Sequence, residues 1–252
     1  MSGILSKRDK LFGIVIGVWL LGTAAAVFAL PPLEWFGYKG RILFFHIPMA
    51  WIAVLTFLMG AWWSFAYLRS KRLEQFHLSS LSNKVGLVFS LLATGSGAIY
   101  AKLTWGAFWN WDVRQTTIFI LLLIYTAYIV LGYSIEDEEK RGLISSVYSL
   151  FAFVTVPFLI FIIPRIPSLK STLHPQRFSM DAKMGLVLTA ALLGITAFYI
   201  WILRYGAARQ RVKTAEQAQL IQKDIESIGL GAEGLESAGL DAEANQNGEE
   251  TV

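Results

Sequence analysis

Two histidines and one dense aromatic stretch are the residues of this chain best suited to chemistry. His46 stands in Phe45-His46-Ile47-Pro48, and His174 directly precedes Pro175. Between them, residues 105–117 read W-G-A-F-W-N-W-D-V-R-Q-T-T, which sets Trp105, Phe108, Trp109 and Trp111 beside Asp112 and Arg114. Imidazole is a common axial ligand of haem iron, and two imidazoles on opposite faces make a six-coordinate site. A broad aromatic shelf with a charged rim suits a flat, apolar ligand that carries acidic groups, and haem is such a ligand. Tryptophan also gathers at membrane interfaces. That accounts for one or two of these rings but not for their density beside a fixed acid and base.

The elements that must position these residues are membrane spans. Of 252 residues, 55% are hydrophobic and only 16% charged, too apolar for an ordinary soluble domain. Lys and Arg number 22 against 18 Asp and Glu, a mild excess of the kind that orients membrane helices; it is no signature of nucleic-acid binding. The absence of cysteine excludes disulfides, thiolate metal sites and covalent haem attachment through C-x-x-C-H. Any haem here is therefore held non-covalently.

Hydropathy predicts an all-α polytopic membrane protein with six transmembrane helices. They fall at Leu11–Leu30, Ile42–Leu68, Val85–Leu103, Thr117–Ser134, Leu143–Ile163 and Met184–Tyr205. Residues 1–10 form a cytoplasmic N-terminus, 11–205 the six-helix domain with its tryptophan-rich outer segment at 104–117, and 206–252 a cytoplasmic tail. The first apolar run is long enough to span, so it reads as a retained helix rather than a cleaved signal. Pro31-Pro32 stops the first span. The second is expected to enter its helix near Pro48, proline being tolerated in a first turn, and the fifth to kink at Pro157. Residues 69–84 read as a basic loop and His77 as a solvated loop residue. Gly95-Ser96-Gly97 reads as an ordinary small-residue helix contact. The tail reads as one short helix followed by an acidic, largely disordered segment.

Six spans put both termini on one side. The loops on that side hold more Lys and Arg than the opposite loops, so the positive-inside rule makes both termini cytoplasmic. His46, His174 and the tryptophan segment then share the outer face. Six of the seven prolines lie at outer helix ends or loops, which stiffens that face. His77 falls about 45 Å from His46 at about 1.5 Å per helical residue, too far to share a site. Arg41, Lys39, Arg114, Lys170 and Arg177 are candidates for pairing with haem propionates, with headgroup contact the ordinary alternative for each. Asp112 reads as a helix cap or an orienter of Arg114.

At these residues the chain resembles a known family. W-G-A-F-W-N-W-D-V-R-Q-T-T is similar to the W-G-x-x-W-x-W-D motif of the tryptophan-rich haem-handling proteins of cytochrome c biogenesis. His46 in F-H-I-P and His174 in S-T-L-H-P look like the histidines of its six-span CcmC-type members. The resemblance covers roughly residues 10–205. Gln115 stands where those members carry leucine, a change expected to be tolerated, and Pro175 stands where they carry glutamine.

The resemblance implies a non-enzymatic role in the bacterial inner membrane. Haem b, bound transiently and without a covalent bond, would be presented on the periplasmic side, with His46 and His174 as axial ligands of the iron. The implied partners are a membrane-anchored periplasmic haem chaperone, an ABC-type ATPase with its permease subunit, and a small single-span membrane subunit. Two other readings are a permease subunit exporting haem or another substrate, and a bis-His cytochrome b-like electron-transfer subunit. The first favours charges buried within spans and the second histidines in mid-span; this sequence offers neither. On this organisation, removing residues 215–252 leaves haem binding intact. A well-folded truncation that has lost its haem absorbance would overturn that.

Overall fold

The computed structural model describes residues 5–33, 36–166 and 180–227. Six long helices dominate these residues: α1 (Lys7–Ala29), α2 (Leu43–Ser70), α3 (Leu73–Trp105), α4 (Val113–Tyr133), α5 (Glu138–Pro157) and α6 (Ala182–Ser227). Each is long and apolar enough to cross a membrane. Local signals set their ends. Ser6, Asp112 and Asp137 cap α1, α4 and α5, accepting from the backbone N–H groups of Asp9, Gln115 and Lys140. Each cap satisfies a donor that the first helical turn cannot. Gly106 and Lys71 close α3 and α2 in the left-handed conformation, the usual geometry just past a helix end.

Four boundaries differ from the sequence expectation. A 3₁₀ turn at Tyr38–Ile42 feeds directly into α2, so the helix begins at Leu43 and Pro48 lies inside it, not at its entry. α3 begins at Leu73, which reduces the expected 69–84 loop to the Lys71–Arg72 turn. The small polar residues that looked like loop chemistry, Ser79, Ser82 and Asn83, are fully buried instead. His77 is therefore no solvated loop residue; it lies on α3 with Nε2 3.5 Å from Glu138 Oε1. Pro157 ends the α-helical part of α5, and the chain continues through a π turn (Phe158–Ile162) and a 3₁₀ turn (Ile163–Arg165). Proline has no N–H for the α ladder, and the wider π turn takes up the misfit, Ile163 N–H donating to Phe158 O. Beyond the sixth span, α6 stays helical to Ser227.

The chain forms two compact units, Met1–Ala207 and Ala208–Val252. In the first, α2 and α3 pack as an antiparallel hairpin. Lipid is as apolar as leucine, so helices in a bilayer associate through close packing and hydrogen bonds. This hairpin uses both. Ser64 and Ser79 hydroxyls lie 2.6 Å apart, Ser79 Oγ donates to Gly60 O, and Asn83 Nδ2 donates to Ser149 Oγ of α5 at 2.9 Å. A Cβ at Gly60 would stand 2.2 Å from Asn83 Oδ1, and one at Gly86 2.4 Å from Phe57 Cε1. The pairs Ser64/Ser79, Gly60/Asn83, Phe57/Gly86 and His46/Gly97 each lie equally far in sequence from the Lys71–Arg72 turn. One uninterrupted register thus runs the length of both helices. Around it Ile52, Phe57, Leu121, Tyr125, Val156 and Tyr199 form the core, with Phe57 and Tyr125 stacked at 3.5 Å.

Helix α1 is fastened to α6 at several levels. Trp19 Nε1 donates to Ala190 O, Trp201 Nε1 donates to Asp9 O, and Arg204 pairs with Asp9 at 2.6 Å. The close approach at Gly86, against the Phe57 ring, offers a test of the hairpin. Gly86→Ala should destabilise the protein by about 1–3 kcal/mol, the usual cost of overpacking. Gly95→Ala, with nothing within 4 Å of the new methyl, should be neutral or slightly stabilising. Thermal unfolding of the two variants in the same detergent checks this.

Candidate functional site

At the end of the bundle that holds the α1–α2 and α3–α4 connections, a cleft of about 170 Å³ opens between α2, α3, α4 and the end of α5. His46, Trp109, Arg114 and Gln115 line it, with Leu159, Ile160 and Pro164 forming an apolar wall. Among the described residues this is where one sequence-predicted histidine, one of the tryptophans and the arginine of the W-D-x-R run come together. The π turn after Pro157 supplies Leu159 and Ile160, so the misfit at that proline shapes the wall.

The register of the hairpin fixes His46. Its Nδ1 lies 2.9 Å from Ala93 O and 3.2 Å from Ser96 Oγ. Ser96 Oγ also donates to Ala93 O at 3.0 Å. A carbonyl can only accept, so Nδ1 carries a proton, and in the neutral imidazole the lone pair then lies on Nε2. Gly97 lets the ring lie flat against α3, because a Cβ there would meet His46 Cε1 at 3.0 Å. Within the Gly95-Ser96-Gly97 run, expected to be an ordinary helix contact, Ser96 and Gly97 thus seat the imidazole together with Ala93 O, while Gly95 faces open space.

The tryptophan segment is a short structured loop between α3 and α4. Gln115 is 8% exposed and clamps it. Its Oε1 accepts from Asn110 N–H at 2.6 Å, its Nε2 donates to Phe108 O, and its own N–H donates to the Asp112 cap at 2.7 Å. The residue expected to be a tolerated replacement holds the loop in place. Asp112 is the cap of α4, as its position suggested. Lys102 Nζ donates to Gly106 O at 2.8 Å on the α3 side. Trp111 has φ +54°, a left-handed conformation that costs a bulky residue roughly 1–2 kcal/mol, and the residue is 66% exposed.

The rings do not form one flat shelf. Trp109 and Trp111 meet edge to face at 5.7 Å, each also edge-on to Phe119. Trp105 packs edge-on to Tyr100, and Phe108 is exposed beneath Lys102. Only Trp109 of these lines the cleft. Lys39 and Arg41 serve helix ends: Lys39 Nζ donates to Leu103 O at 3.0 Å, and Arg41, its guanidinium over the Tyr38 ring, donates to Leu30 O. His174, Arg177 and Lys170 lie outside the described residues.

The family described as heme exporter protein C, CcmC, matches residues 6–223. The chain belongs to this family. Among its relatives, an Arabidopsis thaliana protein described as ccmC-like, mitochondrial and of cytochrome c biosynthesis is 34% identical over 128 residues. The heme exporter protein C of Paracoccus denitrificans is 32% identical over 133 residues. That of Bradyrhizobium diazoefficiens is 22% identical over 190 residues, 73% of this chain and 72% of the relative. The first two matches take in 49% and 48% of this chain and about half the length of the relatives, 50% and 54%. Family membership agrees with the resemblance carried by the W-G-A-F-W-N-W-D run.

The seat of His46 can be tested directly. Gly97→Val should push the ring off α3 and break its bond to Ala93 O, while a helical glycine replaced there costs little in propensity. In ¹⁵N-histidine spectra the His46 ring nitrogens should shift and those of His77 stay put. Unchanged His46 signals would contradict this seating.

Proposed function

We propose that this chain is a haem-handling membrane protein of c-type cytochrome maturation, presenting haem at the periplasmic face of a bacterial inner membrane to a membrane-anchored haem chaperone. The observation that carries the reading is the His46 imidazole, held by Nδ1 on Ala93 O in an apolar cleft beside Trp109 and Arg114. Names of the family and its relatives, heme exporter protein C and cytochrome c biosynthesis, support it. Haem supplies an iron that takes axial imidazole and two propionates that take cations.

His46 offers Nε2 as the ligating atom, its other nitrogen being committed to a backbone carbonyl that fixes ring and tautomer. Among the described residues Arg114 is the cation that lines the cleft. Leu159, Ile160 and Pro164 exclude water from one wall. The cleft is smaller than the ~300–1,000 Å³ of pockets that bury a ligand almost whole, which suits a site that gives its ligand up. Trp111 and Phe108, exposed at the same loop, supply the aromatic surface a recipient can reach. On sequence grounds His174 is the second axial ligand and Arg177 a propionate partner. Arg41 enters as a second-rank candidate, because its guanidinium already serves Leu30.

Sidedness follows from the positive-inside count, with both termini cytoplasmic. The reading is one of binding and delivery rather than catalysis. Through the family resemblance it includes an ABC-type ATPase and permease and a small single-span subunit as partners. Optical spectra of the purified full chain test it. Wild type should show a low-spin haem spectrum, His46→Ala should lose most of it with partial return on added imidazole, and His77→Ala should match wild type. Burying an aromatic ring is worth roughly 1.5–3 kcal/mol, so replacing Trp105, Trp109 and Trp111 together by Ala should empty the site, while Phe at all three keeps measurable haem. A haem spectrum indifferent to His46 would sink the proposal; equal haem in the two triple variants would reduce the tryptophans to an interfacial belt.

A further inference from the structure

A second cavity, of about 230 Å³, lies between α3, α4 and α5 at the other end of the bundle. His77 on α3 lines it, and Gly97 behind His46 is about 30 Å further along the same helix at about 1.5 Å per residue, nearer than the expected separation of about 45 Å because the Lys71–Arg72 turn folds α3 back along α2. Its lining is unlike that of the His46 cleft. Lys84 and Arg141 bring two cations, and Ser80, Tyr128, Tyr133 and Ser145 bring four hydroxyls. Among the described residues no carboxylate lines it. Glu138, outside the lining, stands 3.5 Å from His77 Nε2 and 3.6 Å from Arg141 Nη2.

Ser145 is the telling residue. It is 2% exposed, and no partner within the described residues reaches its Oγ. A buried hydroxyl left without a partner costs about 1–3 kcal/mol, so its presence on a cavity wall calls for something that fills the cavity. Gly132, across from it, leaves the space open: a Cβ there would stand 3.6 Å from Ser145 Oγ, an ordinary contact.

We propose that this cavity binds a phosphate headgroup, with Lys84 and Arg141 as its cations and Ser145 as its buried donor. Arginine presents a planar fork and lysine a point charge, and both recognise phosphate oxygens. Tyr128 and Ser80 supply further donors. Basic pockets between transmembrane helices are a recurrent way to hold anionic lipid heads. The depth agrees, since the cavity lies where α4 ends at Tyr133 and α5 begins at Glu138. The adjoining surface agrees as well: Tyr133 and Val130 are 75% and 59% exposed, an apolar flank along which acyl chains can lie. Lys84 Nζ sits 5.1 Å over the Tyr133 ring, held at the mouth. An arriving phosphate competes with Glu138 for Arg141. The same chemistry could come from a lipid or from phosphate in solution.

The test uses the full chain in nanodiscs of equal phosphatidylglycerol and phosphatidylcholine, with retained lipid identified by native mass spectrometry. Wild type should retain phosphatidylglycerol preferentially. Lys84→Gln should reduce that preference about ten-fold, the loss of one charge-assisted hydrogen bond. Gly132→Val, which fills the cavity without touching a charge, should abolish it while leaving thermal stability intact. In a parallel arm, inorganic phosphate is titrated against the protein in neutral detergent. Stabilisation of wild type but not of Lys84→Gln, with no lipid preference, would assign the site to soluble phosphate. Failure of wild type in both arms, or a preference that survives Lys84→Gln and Gly132→Val, would overturn the proposal and leave a water-filled cavity.

Discussion

Everything at the His46 cleft depends on how closely α2 and α3 approach each other. In water the hydrophobic effect would press two such helices together; in lipid it does not, and the contact must come from packing and hydrogen bonds. Gly60 and Gly86 remove the side chains that would hold the helices apart, and Ser64 and Ser79 join them with short hydrogen bonds, Ser79 also donating to Gly60 O. The same approach, continued to the far end of the hairpin, lays the His46 ring on Gly97 within reach of Ala93 O. The imidazole is thus oriented by a seam that begins at the opposite end of the bundle. The seam is polar without being charged, which lets it sit in mid-span at modest cost.

Much of the fold was legible because spans announce themselves through length and hydropathy. The helix count was right, Asp112 was read as a cap, and the Pro31-Pro32 stop falls just past the α1 terminus at Ala29. What escaped was whatever depends on partners. Ser79, Ser82 and Asn83 look like loop residues to any hydropathy rule, and their partners on other helices, Gly60 of α2, Tyr199 of α6 and Ser149 of α5, make them interior ones. The start of α2 was misplaced because Pro48 was given the first-turn role, whereas the preceding 3₁₀ turn had already nucleated the helix.

The site was legible in its residue types more than in its geometry. His46, Trp109 and Arg114 share a cleft, yet the flat shelf imagined from four aromatic rings resolves into edge-to-face pairs, the arrangement that ring quadrupoles favour. Gln115 could not be recognised from its own chemistry, since a glutamine in a helical first turn is unremarkable. Its role arises from a loop that folds back over it. A bulky residue with positive φ at Trp111 is likewise invisible in sequence, and it turns that ring outward. The loop's strain and its clamp belong together: the hydrogen bonds of Gln115 and Asp112 hold a backbone that the tryptophan alone would relax.

The unbroken course of α3 from Asn83 to Gly97 has a consequence for how such chains can vary in length. No loop separates the seam from the imidazole seat, so the two are joined by a ruler of fixed pitch. One residue added between Gly86 and Ala93 would turn everything beyond it by about 100° and raise it by about 1.5 Å. The seam could stay closed, but Gly97 would then face away from α2 and a side chain would stand against the ring of His46. Insertions and deletions are therefore confined to the connections, while the interior of this hairpin admits substitution but no change of length.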